Sequence, residues 1–265
     1  MANRFTDISV NMNGQVGVVE IQRPPANFFD HELIGQIADA CEAFAQGADC
    51  RAIVLCSQGR HFCAGANFGG ADDDGDDGFG EDAFEHTARK LYHNAARLFA
   101  AKLPLIAAVQ GSAIGGGLGL ALAADFRVAS LESRFSANFV KLGIHQGFGI
   151  SATLPRLVGQ QMANLMLLTG RRIGGEEALR IGLVDVLTDA ASIRERALQL
   201  AQEIASNAPL AVVSVRETLR EGLVDAVIAA TERELAEQKW LRKTSDAAEG
   251  ILAVAERREG NFSGR

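Results

Sequence analysis

At 265 residues and a net charge of −7, the chain lacks the basic footprint of a general nucleic-acid binder, though a few clustered Lys and Arg could still hold an anionic ligand. A 48% hydrophobic, 22% charged composition is that of an ordinary globular protein whose core needs neither disulfide nor metal, and it argues against whole-chain disorder. No apolar run reaches membrane-spanning length, the first ten residues lack a signal-peptide core, and Cys41, Cys50, Cys56 and Cys63 form no CxxC pair, so a soluble cytoplasmic protein with buried free thiols is expected.

Two β-rich segments, residues 5–11 and 15–22, flank the turn Asn13-Gly14, and Arg23-Pro24-Pro25 ends the hairpin. Asp30 caps a predicted helix whose apolar positions Leu33, Ile34, Ile37, Cys41 and Phe44 recur at helical spacing, and Gly47 closes it. Residues 52–56 form a continuous apolar run, as in a strand buried on both faces. The loop HFCAGANF, residues 61–68, then runs into a glycine- and aspartate-rich stretch over 69–80. That stretch lacks the ligand spacing and distal Glu of a calcium loop and reads as a solvated loop able to cover a pocket. A helix is predicted over 81–101, with acidic residues early and basic ones late, followed by a strand over 105–109. The cluster Gly115-Gly116-Gly117 leads into a helix over 118–124 and a strand over 126–129.

Strands alternating with helices predict an α/β fold built from βαβ units. Beyond Gly149 the pattern turns helical, over 162–168, 192–205, 223–240 and 246–257, with one brief strand near Val184. This C-terminal third reads as a helical layer or assembly arm.

The glycine cluster fails the dinucleotide pattern GxGxxG, because the last position is Leu120, and the chain holds no GxxxxGK, GxSxG or HExxH. No metal-ligand spacing appears, and no metal site is expected. Two loops remain, each at a strand end and followed by helix. Gly65 permits a tight bend that frees the Ala66 N–H, and Gly115–Gly117 lets the chain approach a ligand with amides at a helix N-terminus. Two amides converging on one oxygen make an oxyanion hole; the other reading is that these glycines only permit close packing.

IQRPPANFFDHEL, HFCAGANF, PLIAAVQGSAIGGGLGLALAADFRVAS, FVKLGIHQGFGISATLPRLVG, LLTGRRIGGEEALRIGLVDVL and SDAAEGILAVAERREGNFSGR resemble successive signatures of the enoyl-CoA hydratase/isomerase, or crotonase, family, in the family's order over almost the whole chain. The resemblance implies a crotonase-type ββα spiral core over residues 1–190 and a C-terminal helical trimerisation region over 191–265. It implies a lyase or isomerase acting on acyl-CoA, with coenzyme A carried by the substrate, no prosthetic group, and assembly as a homotrimer or homohexamer. Ala66 and Gly116 would supply the oxyanion-hole amides. Ala64, Gly65, Ala66, Asn67 and Phe68 would line the CoA groove with Phe62 beside it, and Arg23 would sit near a CoA phosphate or else be a solvated turn residue. Trp240 and Phe262 would lie at assembly contacts or pack within the monomer.

Three positions that the resemblance associates with carboxylates are Gly119, Phe139 and Gly147 in this chain. One positioned acid or base contributes about 10²–10⁴-fold, so hydration by a two-glutamate route is doubtful. His145 is the candidate replacement base, or a loop histidine bonded to backbone. Tyr92 either orients substrate or packs as a core aromatic; His86 and His93 read as solvent-exposed. Glu81, Asp82 and Glu85 would reach the site only if the acidic loop closes, and Gln146 could hold a water. Phe68, Phe79, Phe84, Phe139 and Phe148 read as a bulky acyl pocket or as core. A CoA-thioester-binding protein without turnover is the alternative; a serine protease on a related fold would need a partner that neither Ser112 nor Ser136 evidently has.

Overall fold

The computed structural model describes residues 5–67 and 81–265, with the side chains of 81–83 also outside the description. Phe68, Phe79, the acidic stretch over 69–80 and the side chains of Glu81 and Asp82 therefore lie outside the described residues.

The elements in chain order are β1 (Ile8–Asn13), β2 (Val16–Ile21), α1 (His31–Gln46), β3 (Ala52–Ser57), α2 (Glu81–Phe99), β4 (Leu105–Val109), β5 (Ser112–Ile114), α3 (Gly116–Ala123), β6 (Phe126–Ala129) and β7 (Arg134–Ser136). A 3-10 turn, Asn138–Leu142, leads to α4 (Ile150–Thr169), β8 (Arg172–Gly174), α5 (Gly175–Arg180) and β9 (Val186–Leu187), and then to α6 (Ile193–Ala205), α7 (Pro209–Leu219), α8 (Leu223–Leu241) and α9 (Ser245–Glu256).

A six-stranded sheet runs β1-β2-β3-β4-β6-β9, and a small sheet runs β5-β7-β8. Only the β1–β2 hairpin is antiparallel in the large sheet; the other pairs are parallel, as βαβ crossovers require. Period-two geometry divides its strands between two cores. Ile53, Leu55, Leu105, Ala107 and Val109 face the side carrying α1, while Val54, Cys56, Ile106, Ala108 and Val128 face Ile193, Ala197, Ala201 and Ala205 of α6. The C-terminal segment thus closes the second face of the sheet, which is why the central strands β3 and β4 are buried along their whole length.

Asp30 caps α1 by accepting from Leu33 N at 2.8 Å, and the five apolar positions read from its periodicity are all buried. All four cysteines are free and buried. The expected helix over 162–168 is the second half of a longer one: α4 begins at Ile150, with Pro155 inside it and non-helical backbone at Gly159. Those two residues interrupt the helical pattern in the sequence. Among the described residues no helix is long and apolar enough to cross a membrane.

Candidate active site

Residues 61–67 are laced to β5: Cys63 N donates to Ser112 O at 3.0 Å, and Ile114 N returns to Cys63 O at 3.1 Å. The loop turns at Gly65 with φ +88°, where a Cβ would meet Ile114 O at 2.8 Å and lie 3.7 Å from Gly116 N. Gly117 packs on the Cys63 carbonyl so closely that any Cβ would collide with it. The bare backbones therefore bring Gly65–Ala66 against Gly115–Gly117, where α3 starts. Among the described residues no acceptor meets the N–H of Ala66 or of Gly116. Gly116 N opens a helix, which favours a partial negative charge placed before it.

Aromatic rings cover this floor. The Phe29 ring lies over Gly116, which leaves no space for a Cβ there, and Phe29 meets Phe148 edge-on with centroids 5.6 Å apart. A Cβ at Gly119 would come within 2.7 Å of the Phe148 Cβ. Phe139 is buried in the same core, and Phe84 packs on Ala88, Tyr92 and Leu235, its ring under the Arg242 guanidinium at 3.8 Å. Phe148 itself has φ +65°, a conformation that costs a bulky residue about 1–2 kcal/mol and persists only where neighbours over-determine it.

Those neighbours are polar side chains of α2 and α8. The Tyr92 hydroxyl donates to Gln238 Oε1 at 2.9 Å and takes the Phe148 N–H. A Cβ at Gly147 would collide with this hydroxyl and lie 2.9 Å from Gln238 Nε2. Gln238 Nε2 donates to the carbonyls of His145, at 3.0 Å, and Gln146, at 3.2 Å. Burial, reinforced by the Glu234 charge, pushes the Tyr92 phenol up, so it remains a hydrogen-bond donor.

Glu234, absent from the sequence-derived candidates, is fully buried. It accepts from Gly149 N at 2.8 Å, Ser151 N at 3.1 Å and Ser151 Oγ at 2.6 Å. Burial pushes its carboxyl up to about 7, against the pull of those bonds. Its signal in the sequence was faint: a carboxylate on the inward stripe Val227, Thr231, Glu234, Gln238 of α8.

The remaining candidates separate. His145 is half-buried, its Nδ1 at 2.9 Å from the Gln146 carbonyl, and it lines a cavity of about 490 Å³ with Gln146, Ser151, Gln160, Asn164 and Leu168. None of residues 61–67 or 115–119 lines that cavity, so the structure does not bring His145 to the two amides. Arg23 is held between Asp7, at 2.7 Å, and Asp30, at 2.6 Å, which meets its charge within the protein and weakens the expected phosphate role. Phe62 is wholly buried in the core, where it cannot lie along an open groove. Ala64 is half-buried with its N–H on Ala26 O at 3.0 Å, and Asn67 is exposed. His86 and His93 are exposed, as expected; Glu85 pairs with Arg89 and Lys239 on the outer surface. Trp240 and Phe262 are both exposed in the single chain.

A family model for enoyl-CoA hydratase/isomerase matches residues 11–265. A probable enoyl-CoA hydratase of Bacillus subtilis (strain 168) is 31% identical over 258 residues, 97% of this chain and 98% of the relative. A carnitinyl-CoA dehydratase of Escherichia coli (strain K12) is 31% identical over 265 residues, with the same coverage. Among solved structures, an enoyl-CoA hydratase/isomerase from Pseudoalteromonas atlantica T6c superposes with a TM-score of 0.83 at 27% identity, covering 97% of this chain and 100% of that one.

Proposed function

This chain belongs to the enoyl-CoA hydratase/isomerase family, and from that premise we propose that it binds an acyl-CoA with the thioester oxygen on the N–H groups of Ala66 and Gly116. The observation that carries the reading is the meeting of two glycine-bearing loops that leaves both amides without an internal acceptor. When a proton leaves the carbon beside the thioester, or a nucleophile adds to the carbonyl, negative charge gathers on that oxygen. Fixed amides aimed at it stabilise that charge by several kcal/mol without reorganising.

The group that moves the proton differs from the two-glutamate pattern. Phe148 fills the space beside Gly119, and the Tyr92–Gln238 pair fills that beside Gly147, so neither position has room for a carboxylate. This speaks against hydration by the two-glutamate route and leaves isomerisation or thioester cleavage to a different acid–base group, since an enolate forms only when some base takes the α-proton. It equally supports a second reading, a thioester-binding protein without turnover. On either reading coenzyme A arrives with the substrate, four reduced thiols suit a cytoplasmic setting, and exposed Trp240 and Phe262 suit assembly as a homotrimer or homohexamer.

The test is incubation with a panel of enoyl-CoA thioesters in heavy water, read by mass spectrometry. Deuterium uptake or release of free CoA is expected, and Ala66→Pro, which deletes one amide, slows it about 10²–10³-fold. Rapid water addition would overturn the argument against hydration, and no binding of any thioester would overturn the reading itself.

A further inference from the structure

The turn over residues 147–151 lies between the aromatic cover of the glycine floor and the N-terminus of α4, and α8 grips it with two side chains one helical turn apart. Gln238 holds its leading carbonyls. Glu234 holds its far side, one oxygen taking Gly149 N–H and the other both donors of Ser151. Between these anchors Phe148 is kept in left-handed backbone across Gly119, with its ring against Phe29. With Phe29 beside Gly116 and Phe148 beside Gly119, the two rings fill the space next to the first turn of α3.

We propose that Glu234 is a positioning residue for the acyl pocket: its carboxyl group governs the turn through Gly149 and Ser151, and the state of its proton decides how readily Phe148 clears Gly119 to admit the acyl group of a thioester. This rests on the reading that Ala66 and Gly116 receive the thioester.

The direction follows from where the carboxyl sits. With the turn closed it is buried and keeps its proton up to about 7, whereas in water it would lose it near the ordinary value of 4.5. Closure therefore takes up a proton, and raising the pH through 7 favours the open turn. Between pH 6 and 8.5 these two values give about a ten-fold weakening of closure. Of the titratable groups on the surrounding elements, Tyr92 of α2 stays protonated and Arg242 of α8 stacks on Phe84. Arg233 of α8 pairs with Glu237, and Arg156 of α4 is exposed. His145, on the turn's own approach, is tied to the Gln146 carbonyl.

The experiment is hydrogen exchange of the peptide covering residues 145–152, together with titration of octanoyl-CoA, at pH 6 and 8.5 on the full-length protein, Glu234→Gln and Ser151→Ala. In the wild type, protection of the turn falls about ten-fold beyond the intrinsic pH effect, and octanoyl-CoA binds up to about ten-fold tighter at the higher pH. Glu234→Gln, which carries no titrating proton, removes both slopes. Ser151→Ala, which deletes the Oγ bond that lowers the Glu234 pKa, moves the midpoint upward. A turn whose protection is pH-independent in the wild type, or a Glu234→Gln protein that keeps the wild-type slopes, overturns the proposal. If the turn titrates and Glu234→Gln abolishes this, yet octanoyl-CoA binds at neither pH, the thioester reading fails while control of the turn by Glu234 stands.

Discussion

The floor of the site and its cover are built by different means. The floor, residues 61–67 against 112–119, is backbone on backbone: Gly65 and Gly117 allow an approach that any side chain would forbid. The cover, residues 145–151, is held by side chains arriving from α2 and α8, those of Glu234 and Gln238 bonding to it across 83 to 93 positions of the chain. A floor of this kind tolerates no added atoms and is mechanically stiff. The cover depends on hydrogen bonds and one titratable carboxyl, so it responds to conditions.

The largest expected effect breaks the floor. Gly117→Ala drives a methyl into the Cys63 carbonyl and should cost about 3–4 kcal/mol or prevent folding, read by denaturant unfolding. Ala66→Pro leaves the fold largely intact but removes one amide, and should lower turnover by about 10²–10³-fold with a much smaller change in Tm. A comparable loss of stability would mean that Ala66 N–H serves the fold instead.

The cover should give intermediate effects. Gly119→Glu alone meets Phe148 and should destabilise, whereas Gly119→Glu with Phe148→Ala should recover about 1–2 kcal/mol through their coupling in a double-mutant cycle. Strict additivity would show that Phe148 does not fill that space. The Glu234 carboxyl, raised from the ordinary 4.5 to about 7, contributes stability fully present below 4.5 and lost as the pH rises through 7, roughly 3 kcal/mol in all. Thermal melts from pH 5 to 8 should thus fall more steeply for the wild type than for Glu234→Gln, and parallel melts would refute this. Smallest of all, His145→Ala should change turnover by no more than about three-fold, because His145 lines a cavity that none of residues 61–67 or 115–119 shares, and a general base acts only within hydrogen-bond reach. A hundred-fold loss would reinstate it.

Much of the architecture was legible because its signals are local. Continuous apolar runs announced β3 and β4, helical spacing announced α1, and Asp30 announced where α1 begins. The three-residue strands β5, β7 and β8 carried no such signal, since a segment that short shows no periodicity and becomes a strand only when its partners arrive. Pro155 and Gly159 obscured the first half of α4 for the same local reason that made the rest readable.

The sequence by itself determined the α/β alternation, the two glycine loops with their candidate amides and, through its ordered signatures, the family. Each of these depends on residues near one another in the chain or on the steric freedom of glycine. Only the tertiary structure decided that Arg23 is already paired, that His145 opens into another cavity, and that Phe148, Tyr92 and Gln238 occupy the spaces beside Gly119 and Gly147. It alone also decided that Glu234 is buried on the turn. A carboxylate's role is set by desolvation and by the donors that meet it, and here these come from a loop more than 80 residues away.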